Sequence, residues 1–253
     1  MDCDSVTLPS AERFFEGARA VLECIARTQV ESIRRVGELM ASCIRAGGVI
    51  HVFGSGHSRA FGMELYHRAG GLAAVNMITL EDARRRRGES LAAVREEELE
   101  RETRVVEELL AIHHLAPVDV MLIASHSGRN PAVVEMALQV KERGLPLVAV
   151  TSLQHSRQVT SRHPSGRRLF ELADLVIDNC APFGDALLAI PDGRRVCAVS
   201  SLCGAFIAQA LTAEAVRRLL EAGVEPPILI SANVDGSAEH NRRLMQRYRR
   251  GPV

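Results

Sequence analysis

Two segments near the start of the chain place hydrophobic residues at the spacing of an α-helix. The first carries Phe14 and Ile25 on one face, and the second ends at Gly47 and Gly48, a pair typical of a helix end. No strand-like pattern precedes either segment. We therefore expect residues 1–47 to form an N-terminal helical hairpin.

Short hydrophobic runs alternate with helical patterns from residue 49 onward. The runs predict five strands, at residues 49–53, 72–78, 118–124, 147–151 and 174–178. Continuous hydrophobic runs are typical of parallel strands that are covered on both faces. Repeated strand–helix units predict an α/β fold, here a three-layer α/β/α sandwich around a five-stranded, mainly parallel sheet.

The segments between the strands differ in their patterns. Helices are predicted at residues 58–69, 94–115, 132–143 and 200–222, and polar loops at residues 79–90 and 152–168. Two prolines end the last helical pattern and predict an irregular tail at residues 226–253. We expect residues 1–253 to form a single domain whose α/β core spans residues 48–225.

Charge and cysteine content argue against several classes of protein. The 31 basic and 31 acidic residues give zero net charge, which argues against a nucleic-acid binder. The one basic run, Arg84–Arg87, is followed by glutamates and predicts a solvated loop. The six cysteines show no CxxC pair and no metal-site spacing, so we expect reduced thiols, no metal and no cofactor.

The sequence shows no feature typical of a secreted or membrane protein. Met1-Asp2-Cys3-Asp4 is acidic and leads into no hydrophobic signal segment. No hydrophobic run reaches the roughly 18–20 residues that span a bilayer. We therefore expect a cytoplasmic protein with no membrane partner.

Loops rich in serine and glycine follow three of the predicted strands, and each of them carries one histidine. The candidate binding residues in these loops are Gly54, Ser55, Gly56, His57, Ser58, Ser125, His126, Ser127, Gly128, Arg129, Asn130, Thr151, Ser152 and His155. Because the carboxyl ends of parallel strands meet at one edge of a sheet, these loops are expected to converge there. Serine and glycine also occur at turns and helix starts for purely structural reasons. The convergence of several such loops therefore supports a binding site more strongly than any single loop does.

A helix that begins after such a loop offers unpaired N–H groups and a positive dipole end to an anion. The dinucleotide-binding fingerprint requires a third glycine where this chain has Arg59, so that motif is absent. The nucleotide P-loop requires a Gly-Lys-Ser/Thr sequence, which does not occur. A single phosphoryl group, held by serines and backbone amides, is the simplest predicted ligand.

The loops at Gly54–Ser58 and Ser125–Asn130 resemble the two signature loops of SIS (sugar isomerase) domain proteins. The resemblance extends over nearly the whole chain and is greatest to uncharacterised bacterial phosphosugar-binding SIS proteins related to phosphoheptose isomerases. It implies a flavodoxin-like sheet, and it implies a homodimer or homotetramer. It further implies that Ser125, Ser127 and Gly128 hold the sugar phosphate, while Ser55 and Ser58 contact the phosphate or the sugar hydroxyls.

Candidate acid and base residues lie outside the serine loops. Glu64 follows the first loop by two helical turns, and its alternative role is an ion pair with Arg68 four residues on. Glu239 and His240 form a possible acid–base pair in the tail, whose alternative is an exposed segment. These residues and the loops predict a protein that binds a phosphorylated sugar.

The sequence leaves the reaction open. One hypothesis is an aldose–ketose isomerase or a related lyase that acts on the phosphorylated sugar. The other is a non-catalytic module that senses the same ligand. The identity of the sugar is not determined by either pattern.

Overall fold

The computed structural model of the chain describes residues 8–89 and 96–251. Its central sheet has five parallel strands in the order β2-β1-β3-β4-β5. Their bounds are Ile50–Gly54 (β1), Val75–Ile78 (β2), Val120–Ala124 (β3), Leu147–Thr151 (β4) and Leu175–Asp178 (β5). The predicted α/β sandwich with a five-stranded parallel sheet is therefore confirmed.

Helices cover both faces of this sheet. They are Ala11–Thr28 (α1), Val30–Arg45 (α2), Arg59–Leu65 (α3), Leu80–Arg87 (α4), Glu96–Leu99 (α5), Val105–Leu110 (α6), Pro131–Glu142 (α7), Leu153–Ser156 (α8), Leu169–Leu172 (α9), Ser200–Glu221 (α10) and Ser237–Arg247 (α11). Within the described ranges, no helix is long and apolar enough to cross a membrane.

Two hydrophobic cores lie on opposite faces of the sheet. Side chains alternate along each strand, so Val52 joins the core beneath α1, α2, α3 and α10, while its neighbour Phe53 joins the core beneath α4–α7 and α9. The two-faced burial explains why β1, β3 and β4 are continuously apolar in the sequence or nearly so.

The N-terminal helical hairpin is confirmed, since only Gln29 separates α1 from α2. Helix α2 packs closely on α10 because residue 37 is glycine. A Cβ atom at Gly37 would stand 2.5 Å from the Cβ of Glu214, well inside contact distance.

The loop predicted at residues 79–90 is wrong over the described residues, because α4 occupies most of it. The helix starts with a capping box, in which the Asp82 carboxylate accepts the backbone N–H of Thr79 at 2.9 Å. Leu80 and Ala83 are its buried hydrophobic residues, and four arginines follow. So short an apolar face gives no helical periodicity. Residue 90 lies outside the described residues.

The single helix predicted at residues 94–115 is also wrong. Two short helices, α5 and α6, are separated by a turn at residues 100–104, and residues 94–95 lie outside the described residues. At the turn, the carbonyl oxygen of Glu100 accepts the N–H of Ala132 at the start of α7. A tertiary contact therefore interrupts a segment that contains neither proline nor glycine.

The C-terminal region departs from the predicted irregular tail as well. After a bridge between Ile228 and Leu72, the chain turns at Gly236 (φ 81°) and forms α11. A short antiparallel hairpin, Ala186–Ala189 (β6) with Arg195–Ala198 (β7), precedes α10. Helix α10 ends at Glu221 and is closed by Gly223 (φ 68°), before the two prolines are reached.

A buried carboxylate organises the amino ends of the strands. Asp119 is fully buried and accepts hydrogen bonds from the backbone N–H groups of Val49 and Ala116, both at 2.7 Å, and from His51 Nε2 at 3.0 Å. Burial alone would raise the pKa of Asp119, but these hydrogen bonds hold it below its ordinary value. The carboxylate therefore stays ionised.

Asn76 connects this carboxylate to a second one. Its amide nitrogen donates to Nδ1 of His51 at 3.0 Å and to Nδ1 of His113 at 3.1 Å. Each imidazole then donates from Nε2, His51 to Asp119 and His113 to Asp82 at 3.3 Å. We call these five residues the His51–His113 network.

We expect the free energy of unfolding to fall as pH decreases from about 7 to about 5. Burial lowers the pKa of His51 below its ordinary value, so the unfolded chain takes up a proton before the folded chain does. Stability is therefore lost as pH falls through the ordinary histidine range near 6.5. Urea unfolding at several pH values measures this slope.

His51→Gln is the control for this prediction, because a glutamine can accept from Asn76 and donate to Asp119 without titrating. Other buried histidines also contribute, so the variant should show a shallower slope rather than none. Equal slopes in the two proteins would show that His51 does not contribute to the pH dependence.

Asp119→Ala should reduce the free energy of unfolding by about 3–5 kcal/mol, because it leaves three buried donors without an acceptor. Asp174→Ala is a matched control. Asp174 also accepts a backbone N–H, from Leu147 at 2.8 Å, but its side chain is 44% exposed, so we expect a loss of about 1 kcal/mol. Similar losses in both variants would contradict an organising role for Asp119.

Candidate functional site

The serine loops converge as the sequence predicts. β1 and β3 are neighbours in the sheet, and Gly54 pairs with Ala124 at their carboxyl ends, so the two following loops lie side by side. A cavity of about 470 Å³ opens between them, which we call the serine-loop cavity. Its lining includes the predicted residues Ser55, Ser58, Ser125, His126, Ser127, Arg129, Asn130 and His155.

The first loop folds into a single 3₁₀ turn at Gly56–Ser58. Gly54 is required there, because a Cβ atom would stand 2.7 Å from the carbonyl oxygen of Ser58. Gly56 has φ 55°, a conformation that glycine adopts at little cost. His57 is exposed and lines a smaller neighbouring cavity instead.

The second loop is held by its own first serine. Ser125 Oγ accepts the backbone N–H of Gly128 at 3.1 Å, and Gly128 takes φ 60°. The Ser127 hydroxyl lines the cavity and forms no hydrogen bond with any described residue, so it is available to a ligand. Asn130 precedes α7 but does not cap it, because its side chain points to Glu100.

Thr151 and Ser152 lie behind the second loop and do not line the cavity. The Thr151 hydroxyl is 2.7 Å from that of Ser156, which donates to the carbonyl oxygen of Ser127 at 2.9 Å. Ser152 Oγ donates to the carbonyl oxygen of Ala181 at 2.7 Å. In this chain, both residues therefore support the loop from beneath rather than face a ligand.

An aromatic wall closes one side of the cavity. The His155 ring stacks on Phe183, with centroids 4.7 Å apart, and meets His126 at the same distance. Gly184 donates its N–H to His155 Nδ1 at 3.0 Å. Burial lowers the pKa of both histidines, so they are neutral near pH 7. No cluster of three or more metal-ligating side chains is found among the described residues.

Two arginines supply positive charge at the cavity. The N–H of Arg162 donates to the carbonyl oxygen of Arg129, which brings the residues together. Burial and the Arg162 charge lower the pKa of Arg129, and its Nε is buried without a partner in the described part of the chain. No sequence pattern points to Arg162, which lies 33 residues beyond Arg129 in a polar loop.

Glu100 contributes a carboxylate that the sequence analysis missed. It lines the cavity between the two serine loops and accepts from Asn130 Nδ2 at 2.7 Å. A Cβ atom on Gly56 would stand 3.3 Å from Glu100 Oε1, so the carboxylate reaches the first loop as well. Glu100 was not predicted as a site residue because a continuous helix was expected at residues 94–115. In the structure, the turn after α5 directs Glu100 to the cavity.

The three predicted acid–base residues lie elsewhere in the chain. Glu64 forms the ion pair with Arg68 that was its predicted alternative role, at 2.6 Å. It also accepts a hydrogen bond from Gln209 at 3.0 Å. Glu239 pairs with Arg242, and His240 Nε2 is 2.9 Å from the carbonyl oxygen of Ile228. The last two lie on α11, near the amino ends of the strands.

The SIS domain family model matches residues 13–152 of this chain. A UPF0309 protein of Geobacillus kaustophilus is 37% identical over 238 residues, covering 94% of this chain and 93% of that protein. A UPF0309 protein of Halalkalibacterium halodurans is 38% identical over 229 residues, covering 90% of this chain and 93% of the relative.

Solved structures share the fold at low identity. The phosphoheptose isomerase of Neisseria gonorrhoeae gives a TM-score of 0.53 at 17% identity, covering 79% of this chain and 94% of that one. The phosphoheptose isomerase of Francisella tularensis gives 0.53 at 14% identity, covering 83% and 100%. The match of the family model and the extended identity to these relatives show that the chain is a UPF0309 protein of the SIS domain family.

Proposed function

We propose that the chain binds a phosphorylated sugar in the serine-loop cavity and acts on it as an isomerase of the aldose–ketose type. The observation that carries this proposal is the pair of adjacent arginines, Arg129 and Arg162, beside the unpaired hydroxyl of Ser127. The two guanidinium groups and the hydroxyl donor suit a dianion, although the Arg162 side chain also donates to Asn130 Oδ1 at 3.3 Å and the Glu100 carboxylate lines the same cavity. A phosphomonoester is the dianion that a SIS domain fold suggests.

The phosphate is proposed to lie against the second serine loop and the start of α7. Ser127 supplies a hydroxyl donor, Arg129 and Arg162 supply charge, and the Gly128 turn brings the backbone close. Charge-assisted hydrogen bonds of this kind are about twice as strong as neutral ones. Binding would also relieve the repulsion between the guanidinium groups.

The body of the sugar is proposed to extend across the cavity. Ser55 and Ser58 offer hydroxyl groups on one side, while Phe183 and His155 offer an apolar face on the other. This combination of a polar and an apolar wall suits a carbohydrate, which has hydroxyl groups around its edge and C–H groups on its faces. Small-molecule sites commonly combine such walls.

Glu100 is proposed as the acid–base residue. Isomerisation moves a proton between adjacent carbons and needs a carboxylate or imidazole within reach. Glu100 lines the cavity, and the hydrogen bond from Asn130 holds its carboxylate in place. Glu64, Glu239 and His240 contact other parts of the chain. A catalytic role for these residues therefore requires the expected homodimer or homotetramer. That assembly and the cytoplasmic location both stay predictions.

Ser127→Ala should weaken the binding of phosphorylated aldoses and ketoses by about tenfold or more, the effect of losing one hydrogen bond to a charged group. A thermal-shift panel identifies the best ligand, and isothermal titration calorimetry measures its affinity. Ser165→Ala, an exposed change outside the cavity, is the control and should leave affinity unchanged. If no phosphorylated sugar stabilises the wild-type protein, the proposal fails.

Glu100→Gln should keep affinity for the same sugar, because glutamine can still accept from Asn130, but lower turnover by about 10²–10⁴-fold. Proton NMR in D₂O measures it as deuterium incorporation at the carbon next to the carbonyl group. Glu64→Gln should retain exchange. Binding without exchange in the wild-type protein would favour the non-catalytic sensing module, and loss of exchange in Glu64→Gln alone would reverse the two assignments.

A further inference from the structure

A second cavity lies at the opposite edge of the sheet, between α11, β2 and the C-terminal segment. Its volume is about 480 Å³, within the range of small-molecule sites, and we call it the α11 cavity. The residues that matter for its chemistry are Tyr66, Asn76, Met245, Tyr248 and Arg249. We propose that it binds a nucleoside monophosphate, and this inference does not depend on the function proposed for the serine-loop cavity.

Asn76 presents an unused acceptor to the α11 cavity. The residue is 94% buried, and its amide nitrogen is fully used in donating to His51 and His113. Its Oδ1 has no hydrogen-bond partner in residues 8–89 and 96–251, although the residue lines the cavity. The oxygen is not fully buried and is open to the α11 cavity, where it can accept a hydrogen bond from an N–H or O–H group of a ligand.

The cavity also carries positive charge. Arg242, Arg249 and Arg250 line it, and none of the described lining residues is Asp or Glu. Arg242 pairs with Glu239, and Arg250 reaches toward Asp119 at 3.8 Å. Arg249 is left with no acidic or carbonyl partner for its guanidinium within the described ranges, so its charge is available to an anion.

The remaining surface suits a flat ring. The Tyr66 ring stacks on His67 with centroids 3.8 Å apart, and Val75, Ala238 and Met245 add apolar contacts. Burial and the Asp82 charge raise the pKa of Tyr66, while the Arg249 charge opposes this rise, and both Tyr66 and Arg249 line the cavity. Cation, aromatic surface and unused acceptor thus share one cavity.

A nucleoside monophosphate satisfies all three features at once. Its phosphate matches Arg249, its base matches the aromatic and apolar surface, and its ribose hydroxyl or ring N–H groups can donate to Asn76. A sugar phosphate lacks the flat ring, a free nucleoside lacks the anion, and inorganic phosphate lacks both the ring and the sugar. These differences allow each contribution to be measured separately.

Isothermal titration calorimetry of the full chain with AMP and CMP tests the proposal. Ribose 5-phosphate and adenosine serve as partial ligands, and in the Ser127→Ala protein, whose serine-loop cavity is weakened, each should bind at least about tenfold more weakly than AMP. Arg249→Gln should weaken AMP binding by about tenfold or more. Arg249 is exposed, so the variant should fold normally, which its melting temperature checks.

Two controls separate the sites. Arg243→Gln changes the same residue type on α11 outside the cavity and should leave AMP affinity unchanged. Ser127→Ala, in the serine-loop cavity, should leave it unchanged as well. The proposal is overturned if neither nucleotide binds, if ribose 5-phosphate binds the Ser127→Ala protein as well as AMP does, or if Ser127→Ala rather than Arg249→Gln abolishes AMP binding.

Discussion

The buried carboxylate of Asp119 is the constraint on which the arrangement of the sheet depends. A buried charge is tolerated only when fixed donors surround it, and here the donors come from the start of β1, the turn before β3 and His51. Asn76 on β2 links this set of hydrogen bonds, through His113, to Asp82 on α4. Once the amino ends of three neighbouring strands are fixed, their carboxyl ends are fixed too, and with them the origin of both serine loops.

This constraint gives the two edges of the sheet different chemistry. At the amino edge, the polar side chains of the His51–His113 network are already committed to one another. At the carboxyl edge, the strands end in glycine and serine, whose backbone turns leave room for a ligand. A charged network at the carboxyl edge would fill the space that the serine loops keep open. The His51–His113 network and the serine loops therefore lie at opposite ends of the strands.

The sequence predicts what local patterns control. Continuous apolar runs identify the parallel strands, and the glycines and serines after β1 and β3 identify where the loops converge. Helix α4 is not predicted from the sequence, because it is stabilised by a capping box and tertiary packing and has no extended amphipathic face. Glu100 and Arg162 are missed for a related reason, because each reaches the cavity through a turn held by a distant contact. The turn at Glu100 contacts α7, and the turn at Arg162 contacts Arg129.

Glu64 is a position where the sequence allowed two interpretations, a catalytic carboxylate or an ion pair with Arg68. Its spacing to Arg68 predicts an ion pair that needs no ligand, and that pair is formed. The arginines at the serine-loop cavity differ, because Arg129 lies beside another cation and its buried Nε has no partner among the residues that the structure describes. An acidic group whose charge is already neutralised gains little from a ligand, whereas adjacent cations are stabilised by an anion that bridges them. We therefore take the unmet electrostatic requirement, more than the presence of a charged residue, as the criterion by which a binding position is proposed in this fold.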